Sequence, residues 1–177
     1  MLILATASIA RRKLLRKCKR NVVFKVSNVD EKRFNNESIY EFLLRVSYLK
    51  ASVFYKNGMD VVGADTVLMV DDRIIGKPKN KEDAREILKL LSGRKHLCLT
   101  GVAVLKNDSW IGFIERAVVK VDNLSDDLIE QYLNTNEWMG RAGGYAIQGR
   151  ANEFMRVVEG DITTVIGLPM KRLCRII

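Results

Sequence analysis

The stretch Val61–Val70, VVGADTVLMV, carries a single charge, at Asp65, among aliphatic and β-branched side chains. A run this apolar, which Asp71-Asp72 can turn back, reads as a strand. Such surroundings make Asp65 the costly residue of the strand. An ionised carboxylate among valines and leucines needs a metal, a cation or several backbone donors to offset its lost hydration. A strand-end aspartate making local hydrogen bonds is the plain alternative. Gly76-Lys77-Pro78 weighs against it, because the lysine leaves the same hairpin on a tight turn and can return to the strand's end. An acid and a base placed there can hold a metal and a phosphate side by side.

The flanking sequence supplies strands and helices around this one. Met1 to Ala5 reads as a short buried strand, followed by a helix through Leu14, Leu15 and Cys18, and Val22 to Val26 as a second strand. Ser27 to Glu37 is polar and irregular. Ser38 with Glu41 forms a capping box that opens a helix to about Lys56. Arg73 to Ile75 returns from the Asp71-Asp72 turn, Asn80 caps a helix ending at Ser92-Gly93, and Leu97–Leu105 with Ser109–Val121 flank Asn107-Asp108 as a long hairpin. A helix from Ser125 to about Asn134, a glycine-rich stretch, a strand near Phe154 to Val158 and a helix after Pro169 complete the chain. Strands alternating with helices and then a hairpin indicate an α/β domain with a mixed sheet. With 177 residues, 47% of them hydrophobic, residues 1–177 are expected to form one domain around a substantial core.

Charge and cysteine usage narrow the partners. The net charge of +9 favours an anionic ligand: nucleic acid, an acidic surface or a polyphosphate. Seven of the ten residues Arg11–Arg20 are basic, and most should form a solvated helix face. Arg11 differs, lying in the first turn after Thr6-Ala7-Ser8, where helix N–H groups, two hydroxyls and a guanidinium make an anion cradle. A nucleic-acid-binding role for the run is disfavoured because no aromatic residues interleave with it and aromatics are 7% of the chain. No apolar run reaches the ~20 residues of a membrane span. Cys18, Cys98 and Cys174 are far apart with no CxxC pattern, so neither a disulfide framework nor a zinc site is indicated, and a reducing, cytoplasmic setting fits. The sole histidine, His96, falls in an expected strand and reads as structural.

Two further segments carry candidate chemistry. Glu31 lies in the polar loop Asn28-Val29-Asp30-Glu31, by itself a surface acid. Gly140–Gly149, GRAGGYAIQG, is either a turning segment or one whose backbone approaches a ligand, with Gln148 able to read a base edge. No GxxxxGK[ST] loop or GxGxxG after a strand is present.

Taken together, LATASIARRKLL, VGADTVLMVDDRIIGKPKNKEDAREILKLLSGRKH, LTGVAVL, AGGYAIQG and EGDITTVIGLP resemble the Maf family of nucleoside triphosphate pyrophosphatases in order and spacing, over essentially the whole chain. The resemblance implies an α/β fold with an elongated, twisted mixed sheet flanked by helices and a deep cleft, shared with the inosine triphosphate pyrophosphatases (the Maf/HAM1 fold). It implies hydrolysis of a triphosphate to monophosphate and pyrophosphate, a divalent cation (Mg²⁺, Mn²⁺ or Co²⁺) and often a homodimer. By position, Asp65 matches the family's catalytic acid, Glu31 its loop glutamate, Lys50 and Lys77 its lysines, and Ser8 and Arg11 its phosphate binders. Thr66 and Gln148 match positions associated with the dTTP/UTP branch, the branch acting on methylated GTP looking different there. Either Asp65 takes the proton of the attacking water while Glu31 holds the ion, the preferred assignment, or both acids chiefly hold the ion. Ala10 departs from the arginine or tryptophan usual in S-P-R-R or S-P-W-R, so the expected preference for dTTP and UTP over purine or methylated-GTP substrates is loosened.

Overall fold

The computed structural model describes every residue except 19, 20 and 57; Lys19 and Arg20 of the basic run therefore lie outside the described residues. The strands are β1 (Leu2–Ala5), β2 (Val22–Lys25), β3 (Asp60–Val70), β4 (Arg73–Ile75), β5 (Lys95–Lys106), β6 (Ser109–Val121) and β7 (Met155–Glu159). The helices are α1 (Ile9–Arg16), α2 (Ile39–Ser52), α3 (Lys81–Leu91), α4 (Asp126–Leu133) and the short α5 (Ile162–Ile166) and α6 (Met170–Leu173). One mixed sheet has the order β2-β1-β3-β5-β6-β7, with β4 on β3; β1 runs parallel to β2 and β3, while β3–β4 and β6–β7 are antiparallel. The expected α/β class with a mixed sheet is what the chain forms.

Local signals explain most boundaries. Asp71-Asp72 and Asn107-Asp108 have positive φ at both residues, between 46° and 63°, the backbone that a two-residue hairpin turn of right-handed twist requires. Ser38 and Glu41 make the full capping box, and Asn80 and Ser125 accept from the backbone of their helices' third residues. Two helices stop short of expectation. α1 ends at Arg16, and α2 ends at Ser52 rather than near Lys56, where Phe54 and Tyr55 donate to Ala51 and Ser52 in a tighter turn. α5 and two 3-10 turns, Ala142–Gly144 and Arg150–Glu153, were not foreseen, being too short to show a period.

The chain separates into two compact units. The first comprises Met1–Thr66, Thr100–Glu115 and Gly167–Ile177, with buried residues such as Ile3, Ala51, Val61 and Ala103. The second comprises Val67–Leu99 and Arg116–Ile166, around Leu68, Leu88, Leu91, Val119, Leu133 and Tyr145. Among the described residues no helix is long and apolar enough to cross a membrane.

Candidate active site

In the first unit, β1 ends at Ala5 and the chain turns through Thr6 and Ser8 into α1. Ser8 is the helix cap: its Oγ accepts from the N–H of Arg11 at 3.3 Å, and its own N–H donates to Thr6 Oγ1 at 3.1 Å. The cap takes up the Arg11 N–H, one of the first-turn donors that would otherwise lack a partner. Arg11 turns across to β3. Nη1 donates to the Ala64 carbonyl at 2.8 Å and Nη2 to Thr66 Oγ1 at 2.9 Å, and Thr66 Oγ1 lies 2.8 Å from Thr100 Oγ1 on β5. Nε of Arg11 is buried and has no hydrogen-bond partner. Burial holds the Arg11 pKa below its ordinary value, partly offset by the nearby Asp65 and Glu31 charges. The guanidinium is thus a positive charge fixed beside Asp65 and Glu31 at the start of α1.

Gly63 decides where Asp65 points. Residues two apart in a strand share a face, so Gly63 and Asp65 both look towards α2. A Cβ on Gly63 would run into the Ser47 carbonyl and come within 2.9 Å of the Ala51 nitrogen, so only glycine lets α2 lie this close to β3. The close approach brings Lys50, three residues after Ser47 and next to Ala51, onto the acid. Its Nζ lies 2.7 Å from Asp65 Oδ1 and 2.9 Å from Glu31 Oε1. The Lys50 side chain is only 8% exposed and that of Asp65 13%, whereas Glu31 is 45% exposed. The cation required by the buried carboxylate is therefore Lys50, on the helix before the strand, and Glu31 joins it from the loop.

Six of the expected site residues, Ser8, Arg11, Glu31, Lys50, Asp65 and Thr66, thus form one connected cluster. Ala10 lies beside them on α1, partly exposed. Lys77 and Gln148 belong to the second unit, both exposed. There the Gly143 N–H donates to the Gly76 carbonyl at 3.0 Å, tying the glycine-rich stretch to the turn that carries Lys77. Thr100 and Gly167 went unnoticed in the sequence. Gly167 has φ of +99°, and a Cβ there would meet Arg11 Nε and Thr66 Oγ1 at 2.8 Å, so it closes over the guanidinium. Its place in EGDITTVIGLP was the available signal.

The rest of the basic run is partly turned inward. Arg12 donates to the Thr6 carbonyl through Nε and Nη2, and Arg12 and Arg16 lie over the Phe24 ring at 5.7 and 5.2 Å. His96 is buried, with Nε2 2.7 Å from Tyr145 OH, and burial lowers its pKa to about 4. It is a packed, neutral ring. Among the described residues no three His, Cys, Asp or Glu side chains gather as a metal cage. A cavity of about 790 Å³ is lined by Met1, Leu2, Asn21, Val22, Val23 and Asp60, at the amino ends of β1, β2 and β3. The Thr6–Arg11 part of the cluster follows the carboxyl end of β1, the side on which open parallel sheets bind ligands.

A protein from Pyrococcus abyssi named dTTP/UTP pyrophosphatase is 40% identical over 179 residues, spanning all of this chain and 95% of its own length. One of the same name from Bacillus cereus strain G9842 is 36% identical, over 98% of this chain and 92% of its own. The solved structure of a HAM1 protein from Coxiella burnetii superposes with a TM-score of 0.53 at 12% identity, covering 99% of this chain and 96% of that one, a likeness of fold. The family described as Maf-like protein matches residues 1–177, and the chain belongs to that family.

Proposed function

We propose that this chain hydrolyses nucleoside triphosphates, dTTP and UTP in preference, to the monophosphate and pyrophosphate, a nucleotide-pool house-cleaning activity. The observation that carries the reading is the convergence of Glu31 and Asp65 on Lys50 beside the capped start of α1 and the dry Arg11. The relatives named dTTP/UTP pyrophosphatase over nearly the full chain support the substrate class.

Cleaving a phosphoric anhydride asks for a placed water, an acceptor for its proton and positive charge against the phosphate oxygens. Asp65 is the proton acceptor, its carboxylate held by Lys50. Ser8, the α1 N–H groups and Arg11 bind the phosphates, and Lys50 and Lys77 neutralise charge as it builds on them. Thr66, Gln148 and Ala10 face the choice of base. Both carboxylates already gather around one positive charge, and hard oxygen donors suit Mg²⁺, Mn²⁺ or Co²⁺, so Glu31 and Asp65 fit a divalent cation that substrate phosphates would help to ligate. When bound, such an ion polarises phosphate oxygens and acidifies a water.

In this reading residues 1–177 act as one catalytic domain. A homodimer belongs to the same reading, supported by the exposed Tyr40, Tyr48, Trp110 and Ile111, with the Tyr48 and Trp110 rings edge to face at 5.3 Å. So does a cytoplasmic location, where the nucleotide pool lies. The reading includes no nucleic-acid partner, which the engagement of Arg11, Arg12 and Arg16 with the protein itself supports. The test is pyrophosphate release from dTTP, UTP, CTP, GTP, ATP and 7-methyl-GTP with Mg²⁺ or Mn²⁺. Highest kcat/KM for dTTP and UTP is expected; preference for GTP or its methylated form would instead favour a purine-directed member of the family.

A further inference from the structure

Two of the three cysteines, 156 residues apart in sequence, meet in the first unit: Cys18 Sγ and Cys174 Sγ are 2.8 Å apart. Their positions are set by helix ends and buried anchors. Cys18 follows α1, its N–H donating to the Leu15 carbonyl at 3.0 Å, and Leu14 and Leu15 are buried. Cys174 caps α6, its N–H donating to Met170 at 2.9 Å, next to Leu173, which is fully buried. Cys174 is exposed and Cys18 partly so, which gives a reagent access to the pair. Cys98 is the internal contrast: it is 2% exposed, lies 3.5 Å from Tyr145 OH, and burial pushes its thiol up to about 11.

We infer that Cys18 and Cys174 form a thiol–disulfide modification site that takes small-molecule disulfides of the glutathione type and closes into an intramolecular bridge. In the first step the thiolate of one cysteine attacks a sulfur of RSSR; a protein–S–S–R bond forms and RS⁻ leaves. In the second, the neighbouring thiolate attacks the protein sulfur of that mixed disulfide, forming Cys18–Cys174 and expelling the second RS⁻. The two protons given up by the cysteines end on the two RS⁻, so two protein thiols are oxidised and one RSSR is reduced to two RSH. The adjacency of the sulfurs makes the second step intramolecular, so the bridge outcompetes a lasting adduct. The bridge ties the chain just past α1, the helix that Ser8 caps and that carries Arg11, to the segment that begins at Gly167. It does so across a very long loop, for which removal of unfolded-state freedom is large.

The full-length protein, incubated with oxidised glutathione under native conditions, tests this by thiol titration, intact mass and peptide mapping. Expected are loss of two titratable thiols with Cys98 still reduced, a mass lower by about 2 Da and a Cys18–Cys174 crosslinked peptide. Tm should rise by roughly 5–15 °C, reversibly with a dithiol reductant. Cys18→Ser and Cys174→Ser should each lose the Tm rise and keep a single glutathione adduct instead. A wild-type protein that ends as glutathione adducts, as crosslinked dimers, or with both thiols still titratable would overturn the inference.

Discussion

Lys50 Nζ stands 2.7 Å from Asp65 Oδ1, the most deeply placed acid of β3 held by a lysine that is itself nearly buried. The same ammonium binds Glu31 at 2.9 Å, so one cation answers two acids. Asp65→Asn is expected to keep the fold, because the amide can still accept from Lys50. It should lower kcat/KM for dTTP at least about 100-fold by removing the proton acceptor. Turnover near the wild-type rate would place the base elsewhere. Lys50→Met should instead destabilise, by about 1–3 kcal/mol, since it leaves two facing carboxylates without their countercharge. Urea midpoints of the two variants compare these directly.

Arg11→Ala should weaken hydrolysis strongly, and Arg11→Lys should not restore it. The guanidinium reaches the Ala64 carbonyl and Thr66 Oγ1 through two separate nitrogens, and one ammonium cannot span both in that geometry. Lys17→Gln, beyond the end of α1, should leave kcat/KM within about twofold, as surface charges generally do. Equal losses in Arg11→Ala and Lys17→Gln would show that the run acts as a diffuse patch.

Exhaustive chelation should abolish hydrolysis, and Mg²⁺ or Mn²⁺ should restore it. Glu31→Gln should raise the ion concentration needed for half-maximal rate, because one of two hard oxygen donors is lost. Unchanged turnover in the chelated protein would remove the ion from the reaction.

Ala10→Arg should sharpen the preference for dTTP over ATP and GTP by roughly tenfold or more, the worth of one added polar contact of about 1–3 kcal/mol. The present methyl group offers neither a hydrogen bond nor a wall. Ratios of kcat/KM for the five common triphosphates, measured in both proteins, decide it; unchanged ratios would move base reading away from α1.

His96 makes stability fall in acid. Its folded pKa, about 4, lies below the ~6.5 of an unfolded histidine, so the unfolded chain takes up the proton first. Its contribution is full above about pH 6.5 and is lost as pH falls towards 4, by up to roughly 3 kcal/mol. His96→Gln should flatten the denaturation midpoint across that window, although the lost Tyr145 contact lowers it overall. A variant with the wild-type slope would assign the acid sensitivity to carboxylates.

The sequence by itself determined the order of elements, both two-residue hairpin turns, the helix caps and the cost of Asp65. These follow from side-chain period, φ preference and desolvation, which act within a few residues. The whole-chain motif order likewise carried the family. Tertiary structure alone decided what answers Asp65. Lys50 is 15 residues away on another element, and it arrives because β3 lies beside β1 and because Gly63 admits α2. It also turned Arg11 onto residues 53 and 55 positions distant, and set Cys18 against a cysteine 156 residues on. Strand order and helix approach fix such meetings, and neither leaves a periodic trace in the chain.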